Sequence, residues 1–315
     1  MTAIAELDAG RYMGFIYGSG FEAQPDLLQR IAEIIPLIGN AAEAVGSVKA
    51  TNRFFAVLDK CNIPYPKVCG ILPDDVDSTA YLSKFAGGCG GTHISIVNAH
   101  CPTQPDQHYY QQRVDGRSVT LLFVANAHCI EVIGFNEQWL NPTIKLPFRY
   151  GGAVSNIALP ASIQQQLIDA AQKLTVAFGL VGLNSLDAVL RDEFVYVLEI
   201  NPRLSATFDL YDDKNLIDSH IQACVDGELL PHQSTIRSNA HAIVYAATDI
   251  VISSAFEWPS WVVDIPQPAT QQHEVTILAG EPVCTVLSHT YDADEAKRLA
   301  QVRLEKMQQL LQQND

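Results

Sequence analysis

Glu199, Asn201 and Arg203 occupy every second position of VYVLEINPRLSA, and this alternation constrains the fold more than any other stretch. The run from Phe194 to Ile200 is rich in β-branched and aromatic residues, so it reads as a strand. Period-two geometry then places the three polar side chains on one face, with Leu198 and Ile200 on the other. Pro202 cannot donate to a ladder, so the strand stops with its polar face at a mouth. A carboxylate beside an amide oxygen suits a hard divalent cation such as Mg²⁺. An arginine beyond them offers a planar donor fork for phosphate oxygens. The same spacing also fits an edge strand with a solvated polar face.

At 315 residues, 48% apolar and 17% charged, the chain has the composition of a soluble globular protein with one large core or two to three modules. No apolar run approaches 18 residues, which argues against a membrane span. The opening MTAIAELDAGRYMG lacks the basic start and apolar stretch of a secretory signal, so the expected location is cytoplasmic. A net charge of -15 argues against broad nucleic-acid binding. It leaves a nucleotide triphosphate open, because a few local cations reverse the sign within one cleft. Cys61, Cys69, Cys89 and Cys101 show no metal-ligand rhythm, and the seven cysteines are expected to be reduced.

Helical spacing runs through Leu27, Leu28, Ile31 and Ile34 until Pro36 and Gly39-Asn40 break it. A second helix is expected over Asn52–Lys60. Strand patterns follow at Val68–Leu72, Ala80–Phe85, Thr92–Val97, Tyr109–Val114 and Val119–Ile133. Residues 162–178 form a patterned helix with Ser162 as its expected cap and Gly179 closing it. Two strands, Gly182–Leu190 and Phe194–Ile200, are joined by a turn at Asp192-Glu193. Another helix is expected over 214–226, and a separate strand-rich segment opens with Ala240–Ile252. An amphipathic helix after Thr290 carries acids early and bases late, as the helix dipole prefers.

Lys84 ends the strand in YLSKFAGGCGGTHI, and four glycines follow at Gly87, Gly88, Gly90 and Gly91. That composition suits a mobile hairpin whose amides close over phosphates, with the lysine as a point charge beside them. A flexible surface turn has the same composition. Asp187 lies twelve residues before Glu199 on the preceding strand. An antiparallel pair closed at Asp192-Glu193 brings the two acids together, and with Asn201 they make a cage for Mg²⁺.

From about Gly46 to Leu210 the chain resembles the ATP-grasp superfamily of ATP-dependent carboxylate–amine ligases. Five pieces carry the resemblance in order: ATNRFFAVLDKCNIPYPKV, LSKFAGGCGGTHI, YYQQRVDGRSVTLLFV, GLNSLDAVL and YVLEINPRLSAT. The resemblance implies an α+β fold of two lobes that grip ATP and Mg²⁺. It divides the chain into a reduced N-terminal segment (1–50), a small glycine-loop lobe (51–110), a large metal-site lobe (111–238) and a C-terminal strand-rich segment (239–315). It assigns Lys84 and Gly87, Gly88, Gly90 and Gly91 to phosphates, and Gln111, Gln112, Arg113 and Val114 to an adenine-contacting hinge. Asp187, Glu199 and Asn201 are implied metal ligands, and Arg203 is implied to meet the transferred phosphate. GFNEQWLNP, PFRYGGAV and WPSWVVDIP look like a predicted carboligase branch, some of whose relatives ligate glutamate to tyramine in C1-carrier coenzyme biosynthesis of the methanofuran or methanopterin type.

The chain departs from the family pattern at three places. Arg117 and Ser118 stand where many members hold the ribose with a glutamate. Ser185 replaces an arginine, whose charge Arg149 is expected to supply in a substrate pocket shared with Tyr150. Asp209 and Asp212 either bind the acceptor amine or decorate a loop. The N-terminal segment, with Gly18-Ser19-Gly20 at its expected strand exit, is too short for a full doubly wound unit. Part of the wall is therefore absent or supplied by a second copy or a partner subunit. The expected activity is amide formation from a small carboxylate and an amine through an acyl phosphate. The rival expectation is a catalytically silent nucleotide-binding or scaffold protein of the same fold.

Overall fold

The computed structural model describes residues 11–72, 77–97, 108–211, 215–233, 236–266 and 274–313. Pro36 and Gly39 split the N-terminal helical pattern into α1 (Pro25–Ala32) and α2 (Ala42–Lys49), and α3 (Thr51–Lys60) follows directly. A parallel bridge joins Phe15 to Leu37, and Tyr17, Leu28, Ala42 and Val45 form a small core beneath it.

Four strands then make an antiparallel sheet, β1 (Val68–Cys69), β2 (Tyr81–Phe85), β3 (Ile94–Ile96) and β4 (His108–Gln112), in the order β1-β4-β2-β3. Lys84 pairs with Tyr109 on β4 and with Ile94 on β3, so it stands mid-sheet next to the glycine loop.

The second sheet is larger. It contains β5 (Arg117–Asn126), β6 (Ile130–Leu140), β7 (Tyr150–Ser155), β8 (Val181–Arg191) and β9 (Phe194–Asn201). β10 (Ser238–Tyr245), β12 (Val262–Val263) and β14 (Pro282–Thr290) extend it to eight strands in the order β12-β14-β10-β7-β6-β5-β8-β9. β11 (Ile250–Ile252) and β13 (Val275–Ile277) pair separately. The C-terminal strands therefore continue the large sheet, through β10 pairing with β7 and β14.

Helices cover both faces. α4 (Ala161–Phe178) and α6 (Ala293–Gln312) bury Leu167, Leu174, Ala300 and Met307 in one core with Leu121 and Phe123. α5 (Leu216–Val225) packs on the other face, where Leu216 and Ala223 meet Leu122, Val124 and Leu183. The architecture is α+β, with mostly antiparallel sheets.

Three local expectations change. Ser162 is not the cap of α4, which starts at Ala161 behind Pro160 with no side-chain cap bond. Proline pre-sets the turn, and Gln164 Nε2 instead donates to the Leu159 carbonyl. The run Val119–Ile133 is a hairpin, because Asn126 Oδ1 accepts from the amides of His128 and Cys129 and reverses the chain. Ala240–Ile252 likewise divides into β10 and β11.

Candidate active site

The hairpin of β8 and β9 turns at Asp192, whose φ of +55° is tolerated by a short polar side chain. Its register sets Asp187 opposite Glu199 and Ser185 opposite Asn201. Simple alternation does not produce this face. Val195 and Val197 are buried in the core, so unbroken period two would send Glu199 there as well. A β-bulge opposite Asp187–Ala188 inserts Leu198, which resets the phase. Ile200 now takes the core face, while Leu198 lines the cleft with Glu199 rather than the face opposite it, as unbroken alternation required.

Hydrogen bonds lock the acidic mouth. Asn201 Nδ2 donates to Asp187 Oδ2 at 2.9 Å and to Ser185 Oγ at 3.3 Å. Arg203 Nη2 donates to Asn201 Oδ1 at 3.3 Å. Lys49, at the end of α2, places Nζ 3.0 Å from Glu199 Oε2. Burial pushes the Asp187 carboxyl up, and the neighbouring Glu199 charge pushes it further. Burial also raises Glu199, but Lys49, Lys84 and His93 outweigh it and hold that carboxylate well below its usual range. Lys84 is 3% exposed and donates to Gln111 Oε1 at 3.2 Å. Burial alone would discharge it, but Tyr109, Glu199 and Asp187 together favour the ammonium.

Asp187 Oδ1 is buried and has no hydrogen-bond partner in the protein, which fits a cation-binding oxygen. Among the described residues no cluster of three or more His, Cys, Asp or Glu is placed to hold a metal. The donor set is therefore two carboxylates and an amide. That matches Mg²⁺, which binds through one or two carboxylates and completes its octahedron with phosphates and water.

The glycine loop faces this mouth across a cleft of about 410 Å³, lined by Lys84, Gly90, Gly91, Asp187, Glu199, Asn201 and Arg203. Gln111, Gln112, Arg113, Val114 and Tyr150 line it too. The loop tip is seated on the large sheet, with the Tyr150 amide donating to the Gly90 carbonyl at 2.9 Å. Gly91 has φ +70°, and a Cβ there would lie 1.8 Å from the Phe148 carbonyl oxygen, so the seat admits only glycine. His93, just past the loop, lines the cleft, and its Nδ1 is buried without a partner.

Other expected residues lie elsewhere. Gly87 and Gly88 sit at the loop base, outside the cleft lining. Arg149 does not replace the missing charge opposite Ser185. It is 6% exposed, its Nε and Nη2 each lie 3.0 Å from Asn141 Oxygen atoms, and its guanidinium stacks 3.7 Å from the Tyr245 ring centroid. It ties β6 to β10 instead of facing the cleft. Asp209 sits exposed in the 3₁₀ turn Ala206–Leu210, near Asp264, and is not part of the lining. Asp212 and Cys101 lie outside the described residues. Tyr150 does reach the cleft, with its hydroxyl 2.7 Å from His241 Nε2. His128 and Cys129 occupy the exposed β5–β6 turn.

Two contributors carry no local sequence signal. Lys49 reads as an ordinary basic residue at a helix end. Glu22 sits in an irregular stretch, yet its side chain is fully buried against the Arg203 guanidinium.

The ATP-grasp domain model matches residues 52–207. Among solved structures, the L-amino acid ligase of Bacillus licheniformis superposes over 94% of this chain and 79% of its own, at 14% identity and a TM-score of 0.67. The biotin carboxylase domain of Hydrogenobacter thermophilus 2-oxoglutarate carboxylase, a complex with MgADP and bicarbonate, superposes over 92% of this chain and 73% of its own, at 11% identity and a TM-score of 0.71. The carbamoyl phosphate synthase large chain of Lachnoclostridium phytofermentans is 24% identical over 196 residues, 55% of this chain. This chain spans only 18% of that relative's length. No helix among the described residues is long and apolar enough to cross a membrane. With its glycine loop and acidic β-hairpin set on one cleft, the stretch 52–207 of this chain is an ATP-grasp domain.

Proposed function

We propose that the protein is an ATP-dependent ligase that joins a carboxylate to an amine through an acyl phosphate, using Mg²⁺. The observation that carries this reading is the meeting of Lys84, the Gly90–Gly91 flap, the Asp187–Glu199–Asn201 mouth and Arg203 around one cleft. The superposition on an L-amino acid ligase supports it through the fold.

In this reading Asp187, Glu199 and Asn201 hold Mg²⁺ against the triphosphate. Bound there, Mg²⁺ would neutralise charge on the phosphates. Lys84 brings a buried ammonium group to those phosphates, and Lys49 holds the Glu199 carboxylate. Gln111 to Val114 line the side of the cleft where the adenine would rest. The substrate carboxylate attacks the γ-phosphorus, ADP leaves, and Arg203 stabilises the charge on the transferred group. The seated flap keeps water from the acyl phosphate until the amine attacks the acyl carbon and phosphate departs. Positioning and electrostatics supply the catalysis, so no side-chain nucleophile is needed.

The test is a phosphate-release screen with Mg-ATP across pairs of carboxylates and amines, with product masses read alongside. Amino acids, glutamyl compounds and tyramine-like amines represent the C1-carrier coenzyme theme. Release that needs both partners, and is abolished in the Lys84→Ala and Glu199→Ala variants, is the expected result. Release that needs bicarbonate and no amine would replace the ligase with a carboxylase. Calorimetry showing no uptake of Mg-nucleotide at millimolar concentration would reject the reading altogether.

A further inference from the structure

The buried pair formed by Glu22 and Arg203 has no explanation in stability alone. Taking both charges out of water is costly, and a well-packed apolar pair would serve a core as well. The Glu22 side chain is fully buried and that of Arg203 only 6% exposed. Arg203 Nε donates to Glu22 Oε1, and the Gly20 amide donates to Glu22 Oε2 at 2.9 Å. The carboxylate is thus clamped from both sides. Arg203 also gives Nη1 to the Leu204 carbonyl at 3.0 Å and Nη2 to Asn201 Oδ1 at 3.3 Å. A guanidinium has five N–H donors, and three are spent on these acceptors. Those that remain belong to the Nη atoms, and Arg203 lines the cleft.

Glu22 has a second neighbour. At Gly87, the base of the flap, a Cβ would lie 2.9 Å from Ala23 Cα and 3.0 Å from the Glu22 carbonyl oxygen. The flap therefore rests on the backbone of the residue whose side chain holds the arginine. Tyr17 and Asn40 fasten the same segment to the end of β9, since Tyr17 Oη donates to the Asn40 carbonyl at 2.6 Å and Asn40 Nδ2 to the Pro202 carbonyl at 3.0 Å.

We infer that Glu22 is a positioning residue, which orients the Arg203 guanidinium toward the transferred group and joins that orientation to the seat of the flap. The inference rests on the ligase reading for what Arg203 touches, while the contact itself can be tested without turnover. Three variants of the full chain, Glu22→Gln, Glu22→Asp and Arg203→Ala, are compared with the parent. In Glu22→Gln the affinity for Mg-AMPPNP should stay within about twofold, kcat should fall at least tenfold, and KM for ATP should barely move. Free guanidinium in the buffer should restore part of the Arg203→Ala activity, and that rescue should vanish once Glu22→Gln is added. A Glu22→Gln enzyme with native kcat, or guanidinium rescue that persists without the carboxylate, overturns the inference.

If Glu22→Gln fails to fold, the Arg203 Nε–Hε resonance decides. In the native protein it should be shifted strongly downfield, and it should move in Glu22→Asp. An unshifted, solvent-exchanging line overturns the inference. A native protein inactive with every substrate pair, whose Arg203 resonance is shifted as expected, removes the ligase reading while the clamp stands.

Discussion

Replacing Asp187 by asparagine should stabilise the protein when no metal is present and destroy its response to Mg-nucleotide. Asp187 and Glu199 are direct cross-strand partners, so their carboxylates lie about 5 Å apart. Two like charges at that separation and an effective dielectric near 20 repel by about 3 kcal/mol. The amide keeps the bond from Asn201 by presenting its oxygen at the Oδ2 position. Its nitrogen then falls where Asp187 Oδ1 is buried without a partner, which costs about 1 kcal/mol. The net gain is about 2 kcal/mol, or roughly 3 °C in Tm for a chain of this length.

The pH dependence has a definite sign. An unfolded aspartate titrates near 3.9, roughly, and the folded Asp187 higher. Between those values the folded chain retains a proton that the unfolded chain has lost, so native stability falls as pH rises. The advantage of Asp187→Asn should therefore be largest above the folded pKa and fade toward pH 4. The assay is urea unfolding across that range in EDTA, repeated with excess Mg²⁺ and AMPPNP. At a hundredfold excess over Kd the native protein should gain about 2.7 kcal/mol and the variant little. A variant less stable than the parent in EDTA at alkaline pH, or one equally stabilised by Mg-nucleotide, would refute the reasoning.

Gly91→Ala should unseat the flap tip, because the new Cβ meets the Phe148 carbonyl at φ +70°. Its affinity for Mg-AMPPNP should fall at least tenfold by calorimetry with the unfolding midpoint little changed. Arg149→Ala should do the reverse. Losing its bonds to Asn141 and its stacking on Tyr245 should cost about 2–4 kcal/mol in urea unfolding, with nucleotide affinity within threefold of native. Native stability with lost affinity would return Arg149 to the binding site.

Much of the site was legible because its signals are local. The Asp192 turn and the glycine cluster each lie within a dozen residues of the groups they place, so the pairing of β8 with β9 and the position of Lys84 beside the loop could be read, while the register that sets Asp187 opposite Glu199 needs the bulge at Leu198. What escaped depends on distance or phase. Lys49 meets Glu199 across 150 residues of sequence and Glu22 meets Arg203 across 181, and no periodicity reports such pairs. The bulge at Leu198 changes strand phase by one residue, and alternation alone assigned that leucine to the wrong face. Arg149 misled because charge next to a tyrosine and two glycines suits a pocket as well as it suits a tie between strands. The place of β10 in the large sheet also depends on partners far away in the chain.

That last arrangement bears on how the molecule can be cut. A fragment ending near residue 207 would match the recognised homology yet strip β7 of its partner at Gly152, Ala153 and Val154. Bare amides and carbonyls along that border would offer a template to any neighbouring chain, and the piece would be prone to cluster. The smallest workable version of this protein is therefore set by hydrogen-bond closure rather than by kinship.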